Sequence, residues 1–303
     1  MDPESTTITS NETFDFETPL FIYRDHHIDV ALAIVTIGSI VACILMIYII
    51  CKYDILHNRT NTYVANLCLA NFLYFLFSPF FLNIFDLAEK WATHNICILG
   101  ETIMLLVLAM FVFACVILTD WYIITYKSYN TSVKCRASYV FIVAMIWIIF
   151  LILFSSVCIQ CASNISIFPV ISLIAILFYF FSFIFLSVVV LLKCFKSKIS
   201  SVIEAKPNLE FRLATWYFLC WLPNWAYVVI CIFKHNWYFA QWEVVTYILA
   251  HMYPMVLFAL LYFNDKTFKV CCRNLFKGER LEMDTIPEFS DRRTSKEHFT
   301  VLI

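Results

Sequence analysis

Residues 28–50 read IDVALAIVTIGSIVACILMIYII, a run in which Asp29 is the one charged side chain. A helix rises about 1.5 Å per residue, so roughly 20 apolar residues cross the hydrocarbon core of a bilayer. The run is apolar on every face, whereas the strands of a membrane barrel alternate between apolar and polar side chains. It therefore predicts a transmembrane helix.

The composition extends this prediction to the chain as a whole. Of its 303 residues, 62% are hydrophobic and 14% are charged, against about 45–50% and 25% in soluble proteins. Three glycines exclude Gly-rich phosphate loops, and a net charge of -1 gives no indication of nucleic-acid binding. The 13 cysteines lie mostly in apolar runs, as small buried side chains do. We expect a membrane protein that is not an enzyme, with no cofactor and no metal site.

Seven segments are long and apolar enough to span the bilayer, and short polar connections separate them. They are 28–50, 62–86, 97–123, 138–160, 166–192, 209–233 and 240–263. With the N-terminus outside, only Arg24, Lys90 and Lys234 of the 21 Lys and Arg residues face outward. Because basic residues concentrate on the cytoplasmic side, this bias predicts an outer N-terminus and a cytoplasmic C-terminus.

Short motifs recur along these spans. They are Asn66-Leu67-Cys68-Leu69-Ala70-Asn71 in the second, Asp120-Trp121-Tyr122 ending the third, Trp147 in the fourth, Cys220-Trp221-Leu222-Pro223 in the sixth and Tyr253-Pro254 in the seventh. In order and spacing, over residues 30–276, they resemble the rhodopsin-like (class A) G-protein-coupled receptors. The resemblance implies an all-α bundle of seven transmembrane helices with an extracellular N-terminus.

The implied organisation has four parts. Residues 1–27 form an extracellular acidic tail, 28–263 the transmembrane bundle, 264–276 a cytoplasmic amphipathic helix on the membrane surface, and 277–303 a cytoplasmic tail. Cys271 and Cys272 in the amphipathic helix are candidate palmitoylation sites. The alternative is that both are unmodified buried cysteines.

Within that superfamily the chain resembles the chemokine receptors most. Ser78-Pro79-Phe80-Phe81 is similar to their second-span motif, and Glu243 precedes Tyr253 by ten residues, where the family commonly has an acidic ligand contact. The resemblance implies a basic peptide or chemokine ligand, which the protein binds or scavenges. The candidate ligand contacts are Glu243, Glu101, Asp86 and Tyr247.

The resemblance also implies a cellular setting. It places the protein in the plasma membrane, with endosomal pools, and gives it a heterotrimeric G protein or arrestin as partner, or a second receptor in a homo- or heterodimer. Short length and eroded motifs resemble a virally encoded homologue, from a herpesvirus or poxvirus, in the host-cell membrane. A divergent cellular orphan receptor is the alternative.

The outer end of the third span carries the expected disulfide. The resemblance implies that Cys97 pairs with a cysteine of the second outer loop. Cys161 is the first choice, and Cys158 is the alternative.

Several motif positions depart from the family. Trp121 replaces the arginine of the Asp-Arg-Tyr motif, so Asp120, Trp121 and Tyr122 form an altered coupling motif. The other expected switch residues are Trp221, Pro223, Tyr253 and Pro254.

The polar anchors of the family's sodium and water network are also replaced. The residues at those positions are Asn71, Tyr253, Ala42 and Met110. We expect weakened G-protein coupling, with atypical or constitutive signalling. The alternative is a ligandless orphan receptor that signals constitutively or dimerises with host receptors and reroutes them.

The expected orientation can be tested by glycosylation. Four Asn-x-Ser/Thr sequons occur, and only Asn11 and Asn164 would face the lumen, where the modifying enzyme acts. Asn11→Gln and Asn164→Gln should each lower the apparent mass before deglycosylation, measured by gel shift. Asn58→Gln and Asn130→Gln should leave it unchanged, and a shift at either would reverse the orientation.

Overall fold

The computed structural model describes residues 26–77, 93–127, 135–162, 209–233 and 240–277, with ten residues between 174 and 188. Within these ranges the chain is helical and contains no strand. The helices are α1 (His26–Lys52), α2 (Arg59–Phe77), α3 (Thr93–Lys127), α4 (Cys135–Ala162), α5 (Leu209–Phe233), α6 (Ala240–His251), α7 (Tyr253–Asn264) and α8 (Lys266–Lys277), with a 3₁₀ turn at Asp54–Leu56.

Five described segments are long and apolar enough to cross a membrane. They are Val30–Lys52, Cys97–Ile123, Tyr139–Ala162, Leu209–Cys231 and Val244–Asn264, the last running from α6 into α7. In hydrocarbon a helix satisfies its backbone polar groups internally, which explains why these runs fold as helices. The other two expected spans, 62–86 and 166–192, lie partly outside the described residues. The described part of the first is α2, and the ten described residues of the second are all helical.

Helix α3 lies at the centre of the bundle and packs against α2, α4 and α5. Its fully buried residues Leu106, Met110, Phe113 and Ile117 follow one another at intervals of three or four, the spacing of one helix face. Helix α4 buries far less of itself. Phe141, Ile152 and Ile159 are each more than 60% exposed, as side chains facing lipid are.

The seventh expected span is broken at Met252, between α6 and α7. Pro254 has no N–H to donate, and the N–H of Met255 bonds to the carbonyl of Met252 at 3.1 Å. The carbonyl of His251 therefore lacks its usual helical donor. Ser39 of α1 donates its hydroxyl to this carbonyl at 2.5 Å, so a polar contact between helices replaces the bond that the break removes.

Asp265 separates α7 from α8. Its carboxylate Oδ1 accepts hydrogen bonds from the N–H groups of Thr267 (2.9 Å) and Phe268 (3.1 Å), which caps the first turn of α8. The ring of Phe268 is buried and packs edge-on against Phe258 of α7, with centroids 5.9 Å apart. The cap and this contact hold α8 against the bundle.

The Ser39 contact should contribute measurably to stability. Ser39→Ala leaves the His251 carbonyl without that donor, and we expect a loss of about 1 kcal/mol, or roughly 2 °C in the Tm of the detergent-solubilised chain. Ser155→Ala is the matched control, because Ser155 is exposed and donates to Leu151 of its own helix. Equal Tm values for the two variants would contradict the role of Ser39.

Candidate functional site

The buried centre of the bundle is a cluster of aromatic rings around Phe111 of α3. Its ring centroid lies 5.8 Å from that of Trp221, 5.4 Å from Trp225 and 5.6 Å from Tyr217. The two tryptophans are four residues apart on α5, so they share a helix face, and Pro223 lies between them inside the helix. The expected switch residues Trp221 and Pro223 thus lie on α5, whose aromatic side chains pack around Phe111 of α3.

Tyr74 of α2 connects this cluster to the part of α6 that carries the expected ligand contacts. Its ring lies 6.0 Å from Trp221 and 5.5 Å from His251. Its hydroxyl lies 3.4 Å from the hydroxyl of Tyr247. Tyr247, an expected ligand contact, is therefore separated from Trp221 by one side chain.

Tyr253 extends the cluster in the opposite direction. Its ring packs edge-on against Tyr217 at 4.9 Å, and its hydroxyl donates to the carbonyl of Leu213 of α5 at 3.4 Å. Tyr253 and the adjacent Pro254 are both buried. Tyr253 thus connects α7 to α5.

The other expected ligand contacts are only partly described. Glu101 is buried, with 1% of its surface exposed, and lies one turn after Cys97 on α3. The side chain of Glu243, on α6, and the whole of Asp86 lie outside the described residues, as do the expected glycosylation sites Asn11 and Asn164. Ligand contact at these acids stays a prediction.

Cys97 and Cys161 form a disulfide, with Cα atoms 5.9 Å apart, and Cys158 is a free thiol. The bond joins the start of the apolar part of α3 to the end of α4. This is the first of the two pairings that the resemblance implies.

A hydrogen bond joins motif residues of α4 and α2. Trp147 of α4 donates its indole N–H to the side-chain oxygen of Asn66 of α2 at 2.8 Å.

The altered coupling motif lies near the other end of α3. The Asp120 carboxylate accepts a hydrogen bond from the Arg59 guanidinium of α2, with Nη1 and Oδ1 2.6 Å apart. Trp121 is buried, and its ring lies 4.7 Å from that of Phe211 on α5. Tyr122 is half-buried. Asp120 thus has a cationic partner, which comes from another helix.

Two more polar contacts surround this motif. Thr60 of α2 donates to the Glu210 carboxylate of α5 at 3.1 Å, and Arg212 of α5 donates to the Asn264 side-chain oxygen at 2.6 Å. Between the helix ends lies an open cleft of about 460 Å³, lined by Arg59, Thr60, Asp120, Glu210, Asn264 and Lys266 among others. The cleft lies where α2, α3, α5 and α8 meet.

The residues at the positions of the family's polar anchors take part in the packing. The Asn71 side-chain N–H₂ donates to the Leu67 carbonyl of its own helix at 2.8 Å, and Ala42 and Met110 are buried. Ser39, one turn before Ala42, makes the contact to the seventh span instead. The sequence reasoning missed both Ser39 and Arg59. The sequence offered one indication for Arg59: under the expected orientation it falls at the cytoplasmic end of the second span, near the same membrane face as Asp120.

Cys271 and Cys272 lie on the inner face of α8, with 0% and 2% of their surfaces exposed. Burial, and then the nearby Asp265 carboxylate, raise the pKa of the Cys271 thiol to about 11. Burial raises the pKa of the Cys272 thiol as well. Because the thiolate is the nucleophile, both groups are protected while α8 is docked. Their palmitoylation stays a prediction, which requires α8 to move away first.

The apolar helices identify the chain as a membrane-spanning protein. No protein-family model and no curated protein matches the chain.

The burial of Cys271 and Cys272 predicts slow alkylation. In the folded chain at pH 7.5, both should react with maleimide at least about tenfold more slowly than the exposed Cys51. Peptide mass spectrometry after timed labelling gives the rates, and denaturation should abolish the difference. Equal rates in the folded chain would show that α8 is undocked.

Proposed function

We propose that this protein is a rhodopsin-like G-protein-coupled receptor of chemokine-receptor type, with its N-terminus outside the plasma membrane of a host cell. It binds or scavenges a basic chemokine or peptide, and its signalling is atypical or constitutive. Arrestin or a heterotrimeric G protein is the cytoplasmic partner, and internalised receptor accounts for endosomal pools. A viral origin fits the eroded motifs.

One observation supports this proposal most. A continuous path of contacts runs from the half-buried Tyr247 through the buried side chains Tyr74, Trp221 and Tyr217 to Tyr253. Consecutive ring centroids along its aromatic contacts lie 4.9–6.2 Å apart, within the range at which aromatic pairs interact favourably. The path connects an expected ligand contact, Tyr247, to two expected switch residues, Trp221 and Tyr253.

The path suggests how a ligand would act. Interiors this tightly packed move between discrete arrangements rather than deforming gradually. A ligand beside Tyr247 would bias the position of Tyr74 and hence of Trp221. Because Trp221 lies two residues before Pro223, its movement would act at the proline inside α5, where a helix bends most readily. The cytoplasmic end of α5 would then move relative to Trp121 and the cleft.

The alternative is a ligandless receptor that signals constitutively or dimerises with host receptors and reroutes them. Trp121 favours it, because a buried indole packed at a tilt against Phe211 cannot supply the charge that the family's arginine brings to the active state. The two proposals share the fold and differ in whether a ligand exists.

Binding of a radiolabelled chemokine panel to cells that express the full chain, with cAMP measured in parallel, tests both. The first proposal expects saturable binding that Glu243→Gln weakens at least about tenfold, the cost of one lost ionic contact in a partly desolvated pocket. Asp54→Asn is the control, because this carboxylate is fully exposed in the α1–α2 connection.

The outcomes separate the two proposals. Saturable binding without a change in cAMP indicates a scavenger. Altered basal cAMP without any binding favours the ligandless receptor. If neither binding nor altered cAMP is found, and the chain does not coprecipitate with host receptors, both proposals are wrong.

A further inference from the structure

Three sulfur atoms meet where α1 packs against α2. The Cys68 thiol of α2 donates to the Met46 thioether of α1, with Sγ and Sδ 3.8 Å apart. The thiols of Cys43 and Cys68 are also in hydrogen-bond contact. Cys43 and Met46 are three residues apart on α1, so their side chains share the helix face that meets Cys68. These three side chains are the sulfur cluster.

The sulfur cluster is shielded from water, and its thiols are reduced. Each of the three side chains has 0% of its surface exposed, and Cys43 and Cys68 are both free thiols. Thiolate and thioether sulfurs are soft donors, which select soft metal ions such as Cu(I). We propose that the sulfur cluster is a binding site for a single Cu(I) ion, held by Cys43, Met46 and Cys68.

The spacing of the sulfurs fits one metal ion at their centre. Metal–sulfur bonds in proteins are about 2.3 Å long, so three sulfurs in a plane around one ion lie about 4.0 Å apart. The distance of 3.8 Å between the Cys68 and Met46 sulfurs is close to that separation. Cu(I) would therefore replace the hydrogen bond between thiol and thioether without requiring α1 and α2 to move apart.

Charge favours a monovalent ion at this place. A charge buried among apolar helices is costly unless it is neutralised. When Cu(I) binds, one thiol releases its proton to water, and the resulting thiolate neutralises the single positive charge of the ion. Zn²⁺ would require two thiolates for the same result.

The ligand set also favours Cu(I) over Zn²⁺. Structural zinc sites have four ligands, drawn from Cys, His, Asp and Glu. In the described part of the chain, side chains of these four types form no group of three that could hold a metal ion. The Met46 thioether completes the sulfur cluster, and a thioether is a ligand that suits Cu(I).

The sequence predicts no metal site, because the three ligands come together only through the packing of α1 against α2. Cys68 lies on a different span from Cys43 and Met46, and each of them lies within an apolar run. The site requires only this packing of two helices. It therefore does not depend on the proposed receptor function.

The copper content and the copper affinity of the full chain test the site. The chain is expressed in copper-supplemented cells, purified in detergent without oxygen, and titrated with bathocuproine disulfonate, a competing Cu(I) chelator. The wild type should retain one Cu(I) per chain, and X-ray absorption should show three sulfurs at about 2.3 Å. Cys43→Ala with Cys68→Ala should weaken Cu(I) binding at least about a hundredfold, since residues that merely orient metal ligands already contribute ten- to hundredfold.

The matched control removes two other buried thiols. Cys271→Ala with Cys272→Ala deletes an adjacent pair on α8, and it should leave the affinity and the number of sulfurs around copper unchanged. Met46→Leu conserves the volume of the side chain, so the copper-free variant should fold with the wild-type Tm. It should bind Cu(I) about tenfold more weakly, with two sulfurs around the ion.

Each contrary result has a direct meaning. Loss of all copper from the wild type to the chelator would overturn the proposal. So would a chain that loses its copper in the α8 variant and keeps it in the double variant of α1 and α2. An unchanged affinity in Met46→Leu would overturn the three-sulfur site. If the double variant of α1 and α2 does not fold, Met46→Leu decides the question alone.

Discussion

Every backbone polar group that enters a bilayer must find its partner within the protein, and this constraint governs the arrangement around the α6–α7 break. At the turn beside Met252 and Pro254, the His251 carbonyl has no helical hydrogen-bond donor, and the Ser39 hydroxyl donates to it instead. A hydrogen bond from the neighbouring α1 therefore replaces the one that is lost at the break. Tyr253, the first residue of α7, packs its ring against Tyr217 of α5.

The same constraint explains the division between the middle of the bundle and its ends. In the middle, the helices pack through apolar side chains that include many aromatic rings, and the polar contacts described there, such as Trp147 with Asn66, are single hydrogen bonds between neutral groups. The charged contacts, Arg59 with Asp120 and Arg212 with Asn264, lie at helix ends, where water and lipid headgroups reduce the cost of charge. A disulfide secures α3 to α4 at the opposite end.

Apolar runs predict helices well because bilayer thickness fixes their length. The expected span 209–233 coincides with α5, and 28–50 lies within α1. The motifs also identified two rings of the central cluster, Trp221 and Tyr253, each of which packs against Tyr217. The pairing of Arg59 with Asp120 could not be predicted, because it depends on which faces of α2 and α3 meet. The orientation of α8 also depends on tertiary contacts, since the Asp265 cap and the packing of Phe268 turn Cys271 and Cys272 inward.

The shallow burial of α4 determines which of its positions can change in sequence. Trp147 anchors it to α2, while Phe141, Ile152 and Ile159 face outward. At those outward positions any apolar side chain of moderate size satisfies the bilayer equally well, since lipid tails do not distinguish leucine from phenylalanine by shape. Sequence drift should therefore accumulate on that surface of α4 while Trp147 and Asn66 change together. A lineage that diverges quickly can lose recognisable sequence along such a helix without moving it.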